Sequence, residues 1–98
     1  MLTTCGSMSE ARRIGSEAVK KKLAACANIV PRIESIYRWK GKVERGSETL
    51  VIMKTTSARL KQLEQHIQRE HRYELPEFVV LPITAGSRKY LQWIEEST

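Results

Sequence analysis

The side chains able to do chemistry in this sequence are few. Cys5, Cys26, His66 and His71, with Met1, Met8 and Met53 as weaker additions, are its whole stock of soft metal ligands. No C-x-x-C or H-x-x-x-H spacing occurs. His66 and His71 stand five apart in a stretch read as helix, so they diverge by roughly 140° and do not chelate together. A closed zinc site within one chain is therefore disfavoured. A site shared between subunits stays open, because symmetry can bring one histidine from each chain together. His71 also has a plainer reading, as a helix-end residue that packs its ring and bonds a carbonyl. Cys26, at a strand start, reads as a small buried hydrophobe.

Catalytic patterns are missing. All 11 acidic side chains are Glu, so a triad that needs Asp is excluded. The nucleophile elbow, the P-loop and the dinucleotide-binding glycine run are absent. The expectation is a protein that is not an enzyme. Lys54 is the least ordinary charged residue, an ammonium at the end of an apolar strand. It is expected near Glu48, Glu74 or Glu77. One reading is a plain ion pair. The other is an anion or carboxylate site in an inter-subunit cleft, with Tyr73 and Trp39 beside it.

The net charge of +6 is carried by lysines and arginines spread along the chain, without a nucleic-acid motif. It reads as a solvated surface, with no nucleic-acid partner. No apolar run reaches the roughly 18 residues of a membrane span, so no membrane association is expected. No signal-peptide pattern is visible. Two cysteines do not make a disulfide framework, and both are expected as thiols in a cytoplasmic protein. Ninety-eight residues make a single domain, 1–98.

Periodicity places these residues on elements. Residues 1–5 read as a short first strand. Ser7-Met8-Ser9-Glu10 has capping-box spacing and opens a helix with Ala11, Ile14, Gly15, Ala18, Val19 and Leu23 on one stripe. Residues 23–55 read as two long strands joined by a tight turn at Lys40-Gly41. On the first strand Ala25, Ala27, Ile29, Ile33, Tyr37 and Trp39 share one face by alternation. Pro31 predicts a bulge or bend, and Arg45-Gly46-Ser47 predicts a second break. The second strand is apolar on both faces, as a central strand is. Thr56 or Ser57 caps a helix running to about His71, with Leu60, Leu63 and Ile67 inward. Residues 77–82 read as a last strand. Gly86-Ser87 starts a short helix with Tyr90, Trp93 and Ile94 on one side. The order is β-α-β-β-α-β plus a terminal helix, an α+β ferredoxin-like split βαβ arrangement.

The hairpin is long for its domain. Fourteen residues at roughly 3.3 Å each span about 45 Å, against a radius of gyration near ~13 Å for a domain of this size. Its tip carries Tyr37 and Trp39, which are costly to leave in water. The arm is therefore expected to lie against an identical chain, with Tyr37 and Trp39 in that interface.

These stretches resemble the CutA family of divalent-cation tolerance proteins. The likeness is carried by Leu23-Ala24-Ala25-Cys26-x-Asn28-Ile29-x-Pro31, Ser35-Ile36-Tyr37-x-Trp39-Lys40-Gly41-Lys42 and Lys54-Thr55-Thr56. It continues through His71-x-Tyr73-Glu74-x-Pro76-Glu77, Leu81-Pro82-Ile83 and Tyr90-Leu91-x-Trp93-Ile94, nearly the whole chain. The resemblance implies a homotrimer and a divalent-metal function, copper among the ions. Bacterial members are described as binding copper through a first-strand Cys and a His pair. Those positions match Thr3, Glu70 and His71 here, so only His71 is retained, and Arg72 replaces the Pro that follows. Cys5 lies two residues beyond Thr3 on the same strand face and is a substitute ligand. Glu70 or Glu74 could supplement His71. A weak site for Cu, Zn or Ni follows, with no cofactor required. The alternatives are a small-molecule or anion sensor like the PII trimers, which share the fold, and a partner-binding assembly module.

Overall fold

A computed structural model describes residues 1–98. Helix α1 (Met8–Lys20) starts where Ser7 Oγ accepts the Glu10 backbone N–H at 3.2 Å. That bond satisfies one of the helix's orphan donors. The alternation of 23–55 becomes β2 (Cys26–Trp39) and β3 (Lys42–Lys54), joined by Lys40 and Gly41 at φ 50° and 79°. Two positive φ values in a two-residue loop match the right-handed twist of the flanking strands. β1 (Leu2–Cys5) pairs antiparallel with β3, so the sheet order is β1-β3-β2 and β3 is central. A single 3₁₀ turn at Ser57–Arg59 leads into α2 (Leu60–Glu70), and α3 (Arg88–Glu96) closes the chain with Ser87 as N-cap.

The core lies between one sheet face and α1 and α2. Ile14, Ala18, Val51, Leu63 and Ile67 are fully buried there, with Met53 nearly so. α1 sits close on β2: a Cβ at Gly15 would lie 3.1 Å from the Ala27 Cβ. The opposite sheet face is approached within the chain at its Lys54 end, where Tyr90 of α3 lies 5.6 Å from Lys54 Nζ. Leu50 and Ile52 point to this face and are only half-buried.

The bulge forms where Pro31 predicts it. Val30 pairs with Leu50 and Ile33 with Glu48, so β2 carries one residue more than β3 there, with Arg32 at φ 58°. One extra residue reverses the side-chain alternation. Ile29 faces the helices opposite Val51, whereas Ile33, Tyr37 and Trp39 stand opposite Glu48, Glu44 and Lys42, on the helix-free face. The shared face expected for Ile29 and Trp39 is therefore corrected. The break expected at 45–47 does not form: Arg45, Gly46 and Ser47 pair in unbroken register with Ile36, Ser35 and Glu34.

The last strand expected at 77–82 is also corrected. It is reduced to one pair, in which Leu2 and Val79 exchange hydrogen bonds of 2.8 and 3.1 Å. That pair puts Val79 beside β1, the fourth position of the expected order. The flanking Val80, Leu81 and Ile83 make no ladder and stay exposed. The hairpin gives the molecule a long axis of 44 Å against 26 and 22 Å.

Candidate metal centre

Three elements meet at the inner end of β1. Cys5 is the last residue of β1 and points to the helix side, like Thr3. Glu10 stands in the first turn of α1. His71 follows the last turn of α2, its N–H still bonded to the Ile67 carbonyl at 2.9 Å. One potential ligand atom from each lies within 4.8 Å of the other two, and all three residues are buried. Glu10 Oε2 and His71 Nδ1 are 3.6 Å apart. Ligand atoms of a tetrahedral ion with bonds of about 2.0–2.3 Å stand roughly 3.3–3.8 Å from one another. The thiol, imidazole and carboxylate therefore fit a divalent ion after small movements.

The histidine and the carboxylate already have work in the fold. His71 Nε2 donates to the Thr4 carbonyl at 2.7 Å, and Nδ1 accepts the Tyr73 N–H at 3.1 Å. That pattern is neutral imidazole with its proton on Nε2. Glu10 Oε1 accepts from the Gly6 N–H at 3.3 Å, and Oε2 accepts from the Arg72 N–H at 2.8 Å. Burial, then the negative charge of Glu10, pushes the Cys5 thiol up to about 12, so it is held protonated. Tyr73 covers the site from outside. Its ring lies 4.7 Å from the His71 ring and its hydroxyl donates to Glu48 Oε2 at 2.7 Å. Burial and that carboxylate raise the phenol's pKa.

The other predicted residues do not converge within the chain. Lys54 reaches neither Glu48 nor Glu74 nor Glu77. Its Nζ donates to Asn28 Oδ1 at 2.9 Å and sits 5.6 Å from the Tyr90 ring. Trp39 is at the far end of the hairpin, with Lys40 Nζ 5.9 Å from its ring centroid. Glu74 is exposed in the loop after α2. Glu70 turns to Arg13, at 3.1 Å, and is not one of the three. His66 is fully buried on the other side of α2, with Nε2 3.1 Å from the Ile14 carbonyl. Both cysteines are free thiols, Cys26 only half-buried.

Sequence reasoning missed Glu10 as a site residue. It was explained by its place at the helix start, where a capping-box Glu bonds the N-cap N–H. Its carboxylate instead reaches one residue further back, to Gly6, and across to Arg72. Its 4% exposure marks it as unusual, since acidic side chains are seldom buried unless paired.

Three antiparallel strands, α1 and α2 on one face and Val79 tied beside β1 define an α+β protein of the ferredoxin-like, PII-like kind. A family model, CutA1 divalent ion tolerance protein, matches residues 1–97, and the chain belongs to that family. It is 44% identical to the divalent-cation tolerance protein CutA of Thermus thermophilus, over 100% of this chain and 95% of that protein. It is 49% identical to the chloroplastic CutA of Arabidopsis thaliana over 89% of this chain, but spans only 48% of that longer relative. The solved Thermus structure superposes with a TM-score of 0.97 at 44% identity, covering 99% and 94% of the two chains. A PII-like CutA of Nostoc superposes at 0.91 with 35% identity, covering 99% and 93%.

Proposed function

We propose that this chain acts in divalent-cation tolerance as a homotrimer that binds one ion weakly per subunit, at Cys5, Glu10 and His71. The observation that carries the reading is the meeting of three buried ligand atoms within 4.8 Å from three separate elements. A thiolate, an imidazole and a carboxylate suit zinc well among zinc, copper and nickel. The ion must displace the thiol proton and the hydrogen bond on His71 Nδ1. Both costs favour micromolar or weaker affinity and make binding fall as pH drops. The role proposed is binding, not catalysis. The trimer reading is supported by the sheet face that α1 and α2 leave uncovered and by Tyr37 and Trp39, which stand on it at 46% and 37% exposure. Two free thiols suit a reducing compartment, and the cytoplasm is proposed on that ground. The anion-sensing reading is not favoured, because Lys54, Tyr73 and Trp39 lie apart within the chain.

The test is calorimetric titration with zinc chloride at pH 7.5 or thereabouts, on the native chain, Cys5→Ser and His71→Ala. Removing a ligand should weaken binding about tenfold or more, since even outer partners of a metal ligand carry that much. Equal affinity in all three proteins would contradict the assignment.

A further inference from the structure

We propose that the backbone of residues 72–73 is a latch on this site: beside the Arg72 N–H on Glu10, the Tyr73 N–H occupies the one free lone pair of the His71 ring, at Nδ1, that a divalent ion needs, so ion binding there and loop closure exclude each other. The inference rests on the cation site proposed above and concerns how that site is regulated.

The Arg72 N–H points at Glu10 Oε2 and the Tyr73 N–H at His71 Nδ1, and these two acceptors are 3.6 Å apart. Successive N–H groups aimed at one spot form a concavity that attracts negative charge. Here the carboxylate and the imidazole lone pair fill it. A cation placed between the same atoms would face both N–H dipoles at their positive ends; Glu10 has lone pairs to spare, but Nδ1 has one, and the Tyr73 N–H holds it. One occupant must leave.

The latch is held from outside by Tyr73. Its hydroxyl is fixed on Glu48, and its ring leans on His71. Gly6 leaves the space it occupies: a Cβ there would come within 3.3 Å of the Tyr73 hydroxyl oxygen. Opening is not prohibitive. Arg72 and Tyr73 are both exposed, so water can take the freed N–H groups, whereas a buried orphan would be costly. The latch also explains how a buried carboxylate and a neutral histidine coexist without an ion. The two N–H donors stand where a cation would.

Two variants loosen the latch without replacing a ligand. Tyr73→Phe removes the bond to Glu48, and Gly6→Ala presses on the Tyr73 hydroxyl. Titrated with zinc chloride at one fixed pH, both should bind about threefold to tenfold more tightly than the native chain, the range of one lost side-chain hydrogen bond. Hydrogen exchange of the Arg72 and Tyr73 amides in the native chain should quicken when zinc is added. Zinc binding seen in the variants but not in the native chain would support the latch equally. Binding that depends on Cys5, with unchanged affinity in both variants and amides that keep their protection, would overturn the latch and leave the cation site standing. Absence of binding in every protein, or binding indifferent to Cys5, would overturn both.

Discussion

The two halves of the sheet are finished to different degrees. On the helix side, Thr3, Cys5, Val51 and Met53 are buried at 0–1% exposure under α1 and α2, and the polar groups of Glu10 and His71 are bonded. Along the arm and in the segment after α2, Ile36, Val43, Leu75 and Leu81 are 57–72% exposed, and on the helix-free face Leu50 and Ile52 are only half-buried. One half is a closed core that one chain completes. The other is a set of apolar surfaces and unpaired edges that one chain leaves open. A sheet needs a second layer on each apolar face, and an unpaired edge is a template for further pairing. The chain's own stability lies in the first half, and the proposed assembly draws on the second.

Substitutions in the two halves should therefore fail in different ways. Trp39→Ala should cost the assembly about 3–5 kcal/mol, the range for truncating a buried Trp. The subunit fold itself should remain, because Trp39 supports no part of the closed core. Sedimentation together with circular dichroism reads both. A loss of helix signal along with dissociation would blur the division.

Leu63→Ala makes the converse test. Leu63 is fully buried between α2 and the sheet, so its loss should cost about 2–5 kcal/mol of folding free energy. Urea denaturation at fixed protein concentration measures it. A cost below about 1 kcal/mol would mean that the closed half is looser than described.

Cys5 gives the closed half a signature in alkali. Its thiol is raised from an ordinary value near 9 to about 12. A raised pKa means the folded state holds the proton more tightly, so this contribution is complete below pH 9 and is lost as pH rises toward 12. The slope is about 1.4 kcal/mol for each pH unit in that window. Cys5→Ser should flatten the fall. An identical alkaline profile in the variant would show that the thiol is not insulated.

The smallest expected effect lies at the helix start. Ser7→Ala should cost about 1 kcal/mol by removing the N-cap, with no change in assembly. A shift in oligomer size would tie α1 to the open half, against the comparison.

Much of this division was legible in the residues. Lys40-Gly41 marked the turn and Pro31 the bulge, because each has a local backbone cause. The consequence of the bulge was not legible. Alternation counted straight from Ile29 to Trp39 keeps both on one face, and only the inserted residue near Pro31 reverses it. The run Phe78–Leu81 looked like a buried strand because density of apolar residues does not reveal where the partner is. Within the chain only Val79 finds one. In the site, Cys5 and His71 stood out by type alone. Glu10 did not, because a glutamate at a helix start already has an explanation. The meeting of the three depends on α1 packing beside α2, and no short-range pattern encodes that.

The claim that one half is complete and the other is not is tested most directly by the size of the native chain in solution. Sedimentation equilibrium at micromolar concentration should give a trimer, three times the 11.3 kDa chain mass. A stable, well-folded monomer at that concentration would contradict the account, because the helix-free face and the arm would then be at rest in water.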